Sequence, residues 1–339
     1  MDYKISFLIS LLVSLLLTPL FRIVAIKFNI LDHPISSIKT HRQPVPYLGG
    51  LAIAFSFLFT LICIRLTTNF PTGTLTSLRG IFYGAIIVLI LGLIDDLKYT
   101  GIHFSTKFLG EVIVATIIVF YGIKIKFISP EWFAIILTLI WVIGITNAFN
   151  IIDVIDGLAS GVCIIASLFF FLIGSMGEEE IYVNYAAISL AGACLGFLPY
   201  NLSKKYKIFM GDTGSLFIGM IISVIALGTK YSNNHNFGVI APIIILFVPI
   251  YDTILVSILR IKKGVSPFLG SKDHFALRLE TKGFSRKQIL LLSYFAAFVL
   301  GISGYLLKST KLSFAIAISL LLAIIIIVIT KYLIKIDME

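Results

Sequence analysis

The chain has 339 residues, of which 58% are hydrophobic and 13% charged, and its formal net charge is +10. Soluble domains carry about a quarter charged residues, and the mean hydropathy here is +1.04, so a water-soluble globule is excluded. Apolar runs recur from end to end, and the longest polar stretch, 260–288, leaves no room for a separate soluble domain.

Each run is long enough to cross a roughly 30 Å hydrocarbon core as a helix, and none shows the two-residue alternation of a barrel strand. The pattern predicts an all-α polytopic membrane protein, one domain over 1–339. Its eleven spans are expected at 5–26, 47–66, 79–95, 106–123, 131–148, 157–176, 182–200, 214–230, 238–259, 289–307 and 312–334. The first run carries one weak n-region lysine, Lys4, and no clear small-residue cleavage site, so it reads as a retained span. Cys63, Cys163 and Cys194 all fall inside apolar runs and read as small buried hydrophobes. An odd number of spans puts the termini on opposite sides. With the N-terminus outside, nineteen of the 27 Lys and Arg residues lie on the inner face, as the basic-loop rule requires. Topology alone therefore accounts for the net charge, although a basic inner face also suits anionic headgroups and nucleotides.

That orientation uses Lys and Arg only, yet the unusual polar residues gather on the same inner side. After the first span comes a loop of turn-forming and basic residues, Asp32-His33-Pro34 through Lys39, His41 and Arg42 to Pro44, Pro46, Gly49 and Gly50, whose cations can meet phosphates. The third span ends in Asp95-Asp96. The fifth and sixth are joined through Asn147, Asn150, Asp153, Asp156 and Gly157. These polar residues repeat every third position, a row that drifts about 60° per step on an α-helix. They converge only if the segment tightens or breaks, and Gly157 is well placed for a break. The seventh span ends at Asn201. Phe209-Met210-Gly211-Asp212-Thr213-Gly214-Ser215 opens the eighth, where Thr213 or Ser215 is the expected cap and the helix N-terminus would offer N–H groups to a phosphate. The last inner loop contains Ser271-Lys272-Asp273-His274 and Arg278.

Carboxylates at a membrane boundary are costly unless paired, metal-bound or wet. Five Asp at three junctions of one face therefore point to a site, and the bland alternative of ordinary interfacial acids or polar loops suits any one of them better than the set. Oxygen ligands of this kind suit Mg²⁺. No His pair or Cys cluster suggests zinc, and no Walker or GxGxxG loop is present.

In this order the motifs resemble the polyprenyl-phosphate N-acetylhexosamine-1-phosphate transferase superfamily, glycosyltransferase family 4, over nearly the whole chain from Asp32 to Arg278. The resemblance implies transfer of a HexNAc-1-phosphate, GlcNAc-1-phosphate first among the choices, from a UDP-sugar to undecaprenyl (polyprenyl) phosphate at the cytoplasmic face of the cell membrane. UMP leaves, and the lipid-linked first sugar of a cell-surface glycan such as O-antigen or a cell-wall polymer is formed. It implies Mg²⁺, replaceable by Mn²⁺, as cofactor. The implied partners are UDP-HexNAc, polyprenyl phosphate and membrane lipid, with no nucleic acid, and a homodimer is compatible with it. By the same resemblance Asp95, Asp96 and Asp153 are catalytic, Asn150 and Asp212 hold the metal, and Lys39, Lys107, Asp156, Asn201, Phe209, His274 and Arg278 bind nucleotide or sugar.

Two departures stand out. Val154 replaces a family glycine beside Asp153. The usual HxHHR-like motif of the last loop is His274-Phe275-Ala276-Leu277-Arg278, which leaves the sugar open and makes a 6-deoxy-HexNAc donor an alternative. A cation-coupled transporter is the rival from another class, but transporters place charges near the midplane on broken helices; only the acids Glu111 and Asp252 lie inside spans, away from their end residues. A structural scaffold has no use for so many one-sided carboxylates.

Overall fold

The computed structural model describes residues 2–34, 43–68, 74–98, 101–175, 181–231, 236–266, 270–336 and 338. The expected loop cations Lys39, His41 and Arg42 lie outside the described residues, as does the acidic run 178–180.

The first helix, α1 (Tyr3–Lys27), sorts its residues by size. Ser6, Ser10, Ser14 and Thr18 recur every fourth position and are fully buried, whereas Leu8, Leu12, Leu16 and Leu20 face outward. The small stripe packs on α7 (Ile181–Asn201), where Ser10 Oγ donates to Ser189 O at 2.6 Å and Ser14 Oγ to Ala193 O at 2.7 Å. Lipid removes any hydrophobic drive between helices, so close approach of small residues and interhelical hydrogen bonds hold such pairs together.

After α1 the chain makes a two-residue antiparallel pairing, β1 (Leu31–Asp32) with β2 (Val45–Pro46), in which Leu31 faces Pro46 and Asp32 faces Val45. Then follow α2 (Gly49–Thr67), α3 (Thr74–Leu97), α4 (Phe104–Phe120), α5 (Glu131–Ile152), α6 (Leu158–Gly174), α7 and α8 (Gly211–Gly228). The chain closes with α9 (Ala241–Ile245), α10 (Phe247–Lys262), α11 (Phe275–Thr281), α12 (Arg286–Ser309) and α13 (Leu312–Ile334). Helix α8 is the hub and almost wholly buried, whereas α13 lies at the periphery and is largely exposed.

Each expected span overlaps at least one helix of the structure. Among the described residues eight helices are long and apolar enough to cross a membrane, and α9 with α10 makes a ninth if that pair, bent by 68°, is one span. Helices α4 and α6, with 17 residues each, are shorter. The chain is thus an all-α, multi-pass membrane protein. Pro249 explains the bend, because it offers no N–H to Ile245 O four residues back and its ring crowds that carbonyl.

Several boundaries depart from expectation, among them the start of α3 at Thr74 rather than 79. Helix α5 runs on to Ile152 instead of stopping near 148, the break comes at Asp153, and α8 begins at Gly211 rather than 214. The loop 260–288 contains the short helix α11.

Candidate active site

Four helix ends meet at one level: the last turns of α3 and α5 and the first turns of α4 and α8. The ends of α3 and α8 are joined by a carboxylate acting across helices. Asp96, on α3, accepts from Asp212 N at 2.8 Å through Oδ1, and from Thr213 N at 3.0 Å and Thr213 Oγ1 at 2.6 Å through Oδ2. This corrects the expected cap. Neither Thr213 nor Ser215 caps α8; Asp96 does so, and the Asp212 and Thr213 amides expected to be open to a phosphate are already taken. Gly211 makes this possible: its φ is +68°, a region that disfavours side chains, and a Cβ there would run into the Asp96 carboxylate.

With Asp96 engaged, Asp95 and Asp212 turn to a shared cation. Lys107, in the first turn of α4, is ion-paired with Asp212, lies 3.8 Å from Asp95 Oδ2 and donates to Asn150 Oδ1 at 3.4 Å. The Asn150 amide in turn donates to Asp212 Oδ1 at 3.0 Å and Ser215 Oγ at 2.9 Å. Asp95 is steadied by Ile102 N, 2.6 Å from its Oδ1. Oxygens of Asp95, Asn150 and Asp212 thus converge on a single positive charge, a donor set that fits a hard dication. Among the described residues no three His, Cys, Asp or Glu side chains gather at metal-binding spacing. Mg²⁺ commonly takes one or two protein groups and completes its shell with phosphates and water.

Beyond Ile152 the chain leaves the helix, and Asp153, Val154 and Asp156 line a cavity of about 250 Å³ together with Asn150, Asn201, Lys207, Phe209 and Asp212. Gly157, at φ +82°, turns the chain into α6. Its N–H donates to Asn201 Oδ1 at 2.6 Å, and its carbonyl accepts from Tyr294 of α12 at 2.6 Å. The Asn201 amide also holds Ile208 O at 3.0 Å. Asp156 is paired with Lys207 at 2.6 Å, and the same ammonium lies 5.0 Å from the Phe209 ring centroid. Burial first, then the negative charges of Asp156, Asp212 and Asp96, push the Asp153 carboxyl up to about 8.

The polar row of α5 divides. Asn150, Asp153 and Asp156 reach the cavity, whereas Asn147 turns away and donates to Glu111 Oε2 at 2.5 Å. In the last loop, Ser271 and Leu277 line the cavity. His274 is buried against Asp252, with 2.7 Å between Nδ1 and Oδ2. Arg278 binds Asp273 Oδ1 at 2.6 Å and the Leu333 and Ile336 carbonyls at 3.1 and 2.5 Å. Lys207, Tyr47 and Arg286 also line the cavity and escaped the sequence reading. Lys207 was visible there only as one more inner-face cation, although its place two residues before Phe209 is a usable signal.

Residues 78–230 match glycosyl transferase family 4. A Bacillus subtilis protein named "Probable undecaprenyl-phosphate N-acetylglucosaminyl 1-phosphate transferase" is 36% identical over 317 residues, covering 91% of this chain and 86% of its own. The decaprenyl-phosphate N-acetylglucosaminephosphotransferase of Mycolicibacterium smegmatis is 32% identical, covering 80% of this chain and 74% of its own. The undecaprenyl-phosphate alpha-N-acetylglucosaminyl 1-phosphate transferase of Escherichia coli K12 is 26% identical over 84% and 78%.

Proposed function

The chain belongs to glycosyl transferase family 4, the polyprenyl-phosphate N-acetylhexosamine-1-phosphate transferases, and on that premise we propose that it transfers GlcNAc-1-phosphate from UDP-GlcNAc to undecaprenyl phosphate. A phosphate oxygen of the lipid forms a bond to the sugar-bearing phosphorus, the bond from that phosphorus to the bridging oxygen breaks, and UMP departs. The product is the lipid-linked first sugar of a cell-surface glycan. The observation that carries the reading is the convergence of Asp95, Asn150 and Asp212 on one cation, with Asn150 and Asp212 lining the cavity.

Asn150 and Asp212 are the residues that would hold Mg²⁺ or Mn²⁺, which when bound neutralises the diphosphate and the departing UMP. The chain's own groups orient the partners. Asp95 borders the ion site and Asp96 fixes Asp212 within it. Phe209, braced by Lys207, offers a face for the uracil ring, beside Asp156 and Asn201. Asp153 keeps its proton at neutral pH and can donate it in a hydrogen bond to a phosphate or sugar oxygen. The attacking phosphate needs no strong base, because its second pKa is near 6. Lys39 is assigned to the substrate phosphates, and Lys107 to the side chains of the ion site. His274 and Arg278 act by shaping the loop that presents Ser271 and Leu277 to the donor sugar.

The eleven spans, an outer N-terminus and a cytoplasmic active site complete the reading, supported by the inner-face excess of Lys and Arg. The test is purified protein in detergent with undecaprenyl phosphate, UDP-GlcNAc and Mg²⁺, scored for UMP and the glycolipid. Both products should appear, vanish with EDTA and be absent for Asp212→Ala. UMP release that persists in EDTA would remove the metal from the reaction.

A further inference from the structure

Helix α4 carries a second buried acid that the reaction above does not use. Glu111 lies one helical turn beyond Lys107 and is 3% exposed. Its Oε2 accepts from Asn147 Nδ2 at 2.5 Å, and that amide is itself anchored to Ile143 O at 3.0 Å. The other oxygen, Oε1, is buried with no hydrogen-bond partner among the described residues. An unsatisfied buried carboxyl oxygen destabilises a fold, so its persistence calls for an occupant that comes and goes.

Lys107 supplies a candidate. Its ammonium occupies the point where Asp95, Asn150 and Asp212 converge, the same oxygens the proposed reading gives to a dication. Two cations cannot share that point, and an ammonium stranded within a membrane protein is costly. Helix neighbours four apart lie about 6 Å from each other, a gap that lysine's flexible four-carbon stem can span. The Lys107 and Glu111 charges already interact.

We propose that Glu111 is the second seat of the Lys107 ammonium: Lys107 bridges Asp95, Asn150 and Asp212 when no dication is bound and turns to Glu111 Oε1 when one is. Glu111 is a positioning residue that acts through Lys107, and the proposal rests on the metal reading given above.

The test is Mn²⁺ binding by the full-length protein in detergent without substrate, read by electron paramagnetic resonance, for wild type, Glu111→Gln, Lys107→Met and the double variant. Glu111→Gln should weaken Mn²⁺ binding about tenfold, while its metal-free melting temperature stays at or above wild type. In the Lys107→Met background, which has no ammonium to rehouse, the Glu111 change should have no further effect. An unchanged affinity in Glu111→Gln would overturn the proposal, as would an equal loss in both backgrounds, since that is the long-range field of one negative charge. If wild type itself binds no Mn²⁺, the metal reading falls and this proposal with it.

Discussion

Asp96 Oδ2 receives both the backbone N–H of Thr213, at 3.0 Å, and its hydroxyl, at 2.6 Å, so a side chain of α3 caps α8. The two adjacent aspartates therefore divide their work, since Asp95 meets the Ile102 amide, Lys107 and Asp212 rather than the α8 amides. Losing a cap costs about 0.5–2 kcal/mol. Asp96→Ala should lower the melting temperature and also cut kcat by displacing Asp212. Thr213→Val, which loses one hydroxyl bond worth about 1 kcal/mol, should keep most activity. Asp95→Asn should lose turnover while melting near wild type. An Asp96→Asn protein with wild-type melting and no activity would assign Asp96 to the chemistry directly.

Asp153 keeps its proton to about pH 8 in the fold, whereas an unfolded Asp loses it near 3.9. Across that window the folded state binds the extra proton, so stability should fall as pH rises from about 4 to about 8 and then level off. Thermal melts in EDTA between pH 5 and 9 should show this fall, and Asp153→Asn, which cannot ionise, should flatten it. Parallel wild-type and variant curves would mean that Asp153 is ionised throughout.

Arg278 ties Asp273 to the end of α13 through bonds to the Asp273 carboxylate and carbonyl and to the Leu333 and Ile336 carbonyls. Burial raises the Asp273 carboxyl, but hydrogen bonds from Lys263, Ser271 and Arg278 outweigh it and hold the group below its ordinary value. Its contribution to stability is thus complete above about pH 4 and lost as pH falls through the lower folded value. Breaking a buried pair costs about 3–5 kcal/mol, so Arg278→Ala should melt several degrees lower at pH 7. Arg278→Lys should be nearly as poor, because an ammonium lacks the planar fork that reaches four acceptors. Wild-type melting of Arg278→Ala would remove the structural role.

The helices were legible in the sequence because lipid leaves hydropathy as the dominant signal, and each apolar run holds a helix, or the bent pair α9 and α10. Asn150, Asp153, Asp156 and Asp212 were legible as a group because isolated charges at a membrane boundary need a reason. Contacts fixed by tertiary approach were not. The cap of α8 comes from Asp96, 116 residues away in sequence from the Asp212 amide it accepts, and no local pattern announces it. Asn147 belongs to the same three-residue row as Asn150, but the helix continues through 147, so the drift of the row points it at Glu111 instead.

The orientation is open to a direct test. In a chain whose Cys63, Cys163 and Cys194 are replaced, single cysteines at the exposed positions Lys204, Lys282 and Lys126 report the two faces. Lys204→Cys and Lys282→Cys should resist a membrane-impermeant thiol reagent in intact cells, and Lys126→Cys should react. Labelling of Lys204→Cys from outside would invert the topology and move the site with it.

Leu277 faces the cavity, whereas Ala276 beside it is fully buried and does not. Of the two apolar substitutions in the last loop, only Leu277 is therefore placed to touch a donor sugar. A leucine wall makes no hydrogen bond to a hydroxyl and discriminates weakly against its absence, while a site built to bond that hydroxyl rejects analogues lacking it far more strongly. The protein should thus accept UDP-6-deoxy-HexNAc at a kcat/KM within about tenfold of UDP-GlcNAc. Leu277→His should shift the ratio towards the hydroxylated donor by tenfold or more. Ala276→His should instead lower stability without moving the ratio, because its imidazole has to enter a closed space. Competition between the two donors, with melting curves for each variant, decides the matter. If Leu277→His leaves the ratio where it was while the protein still folds, the sugar is read elsewhere in the cavity, with Ser271 and Arg286 the next residues to change.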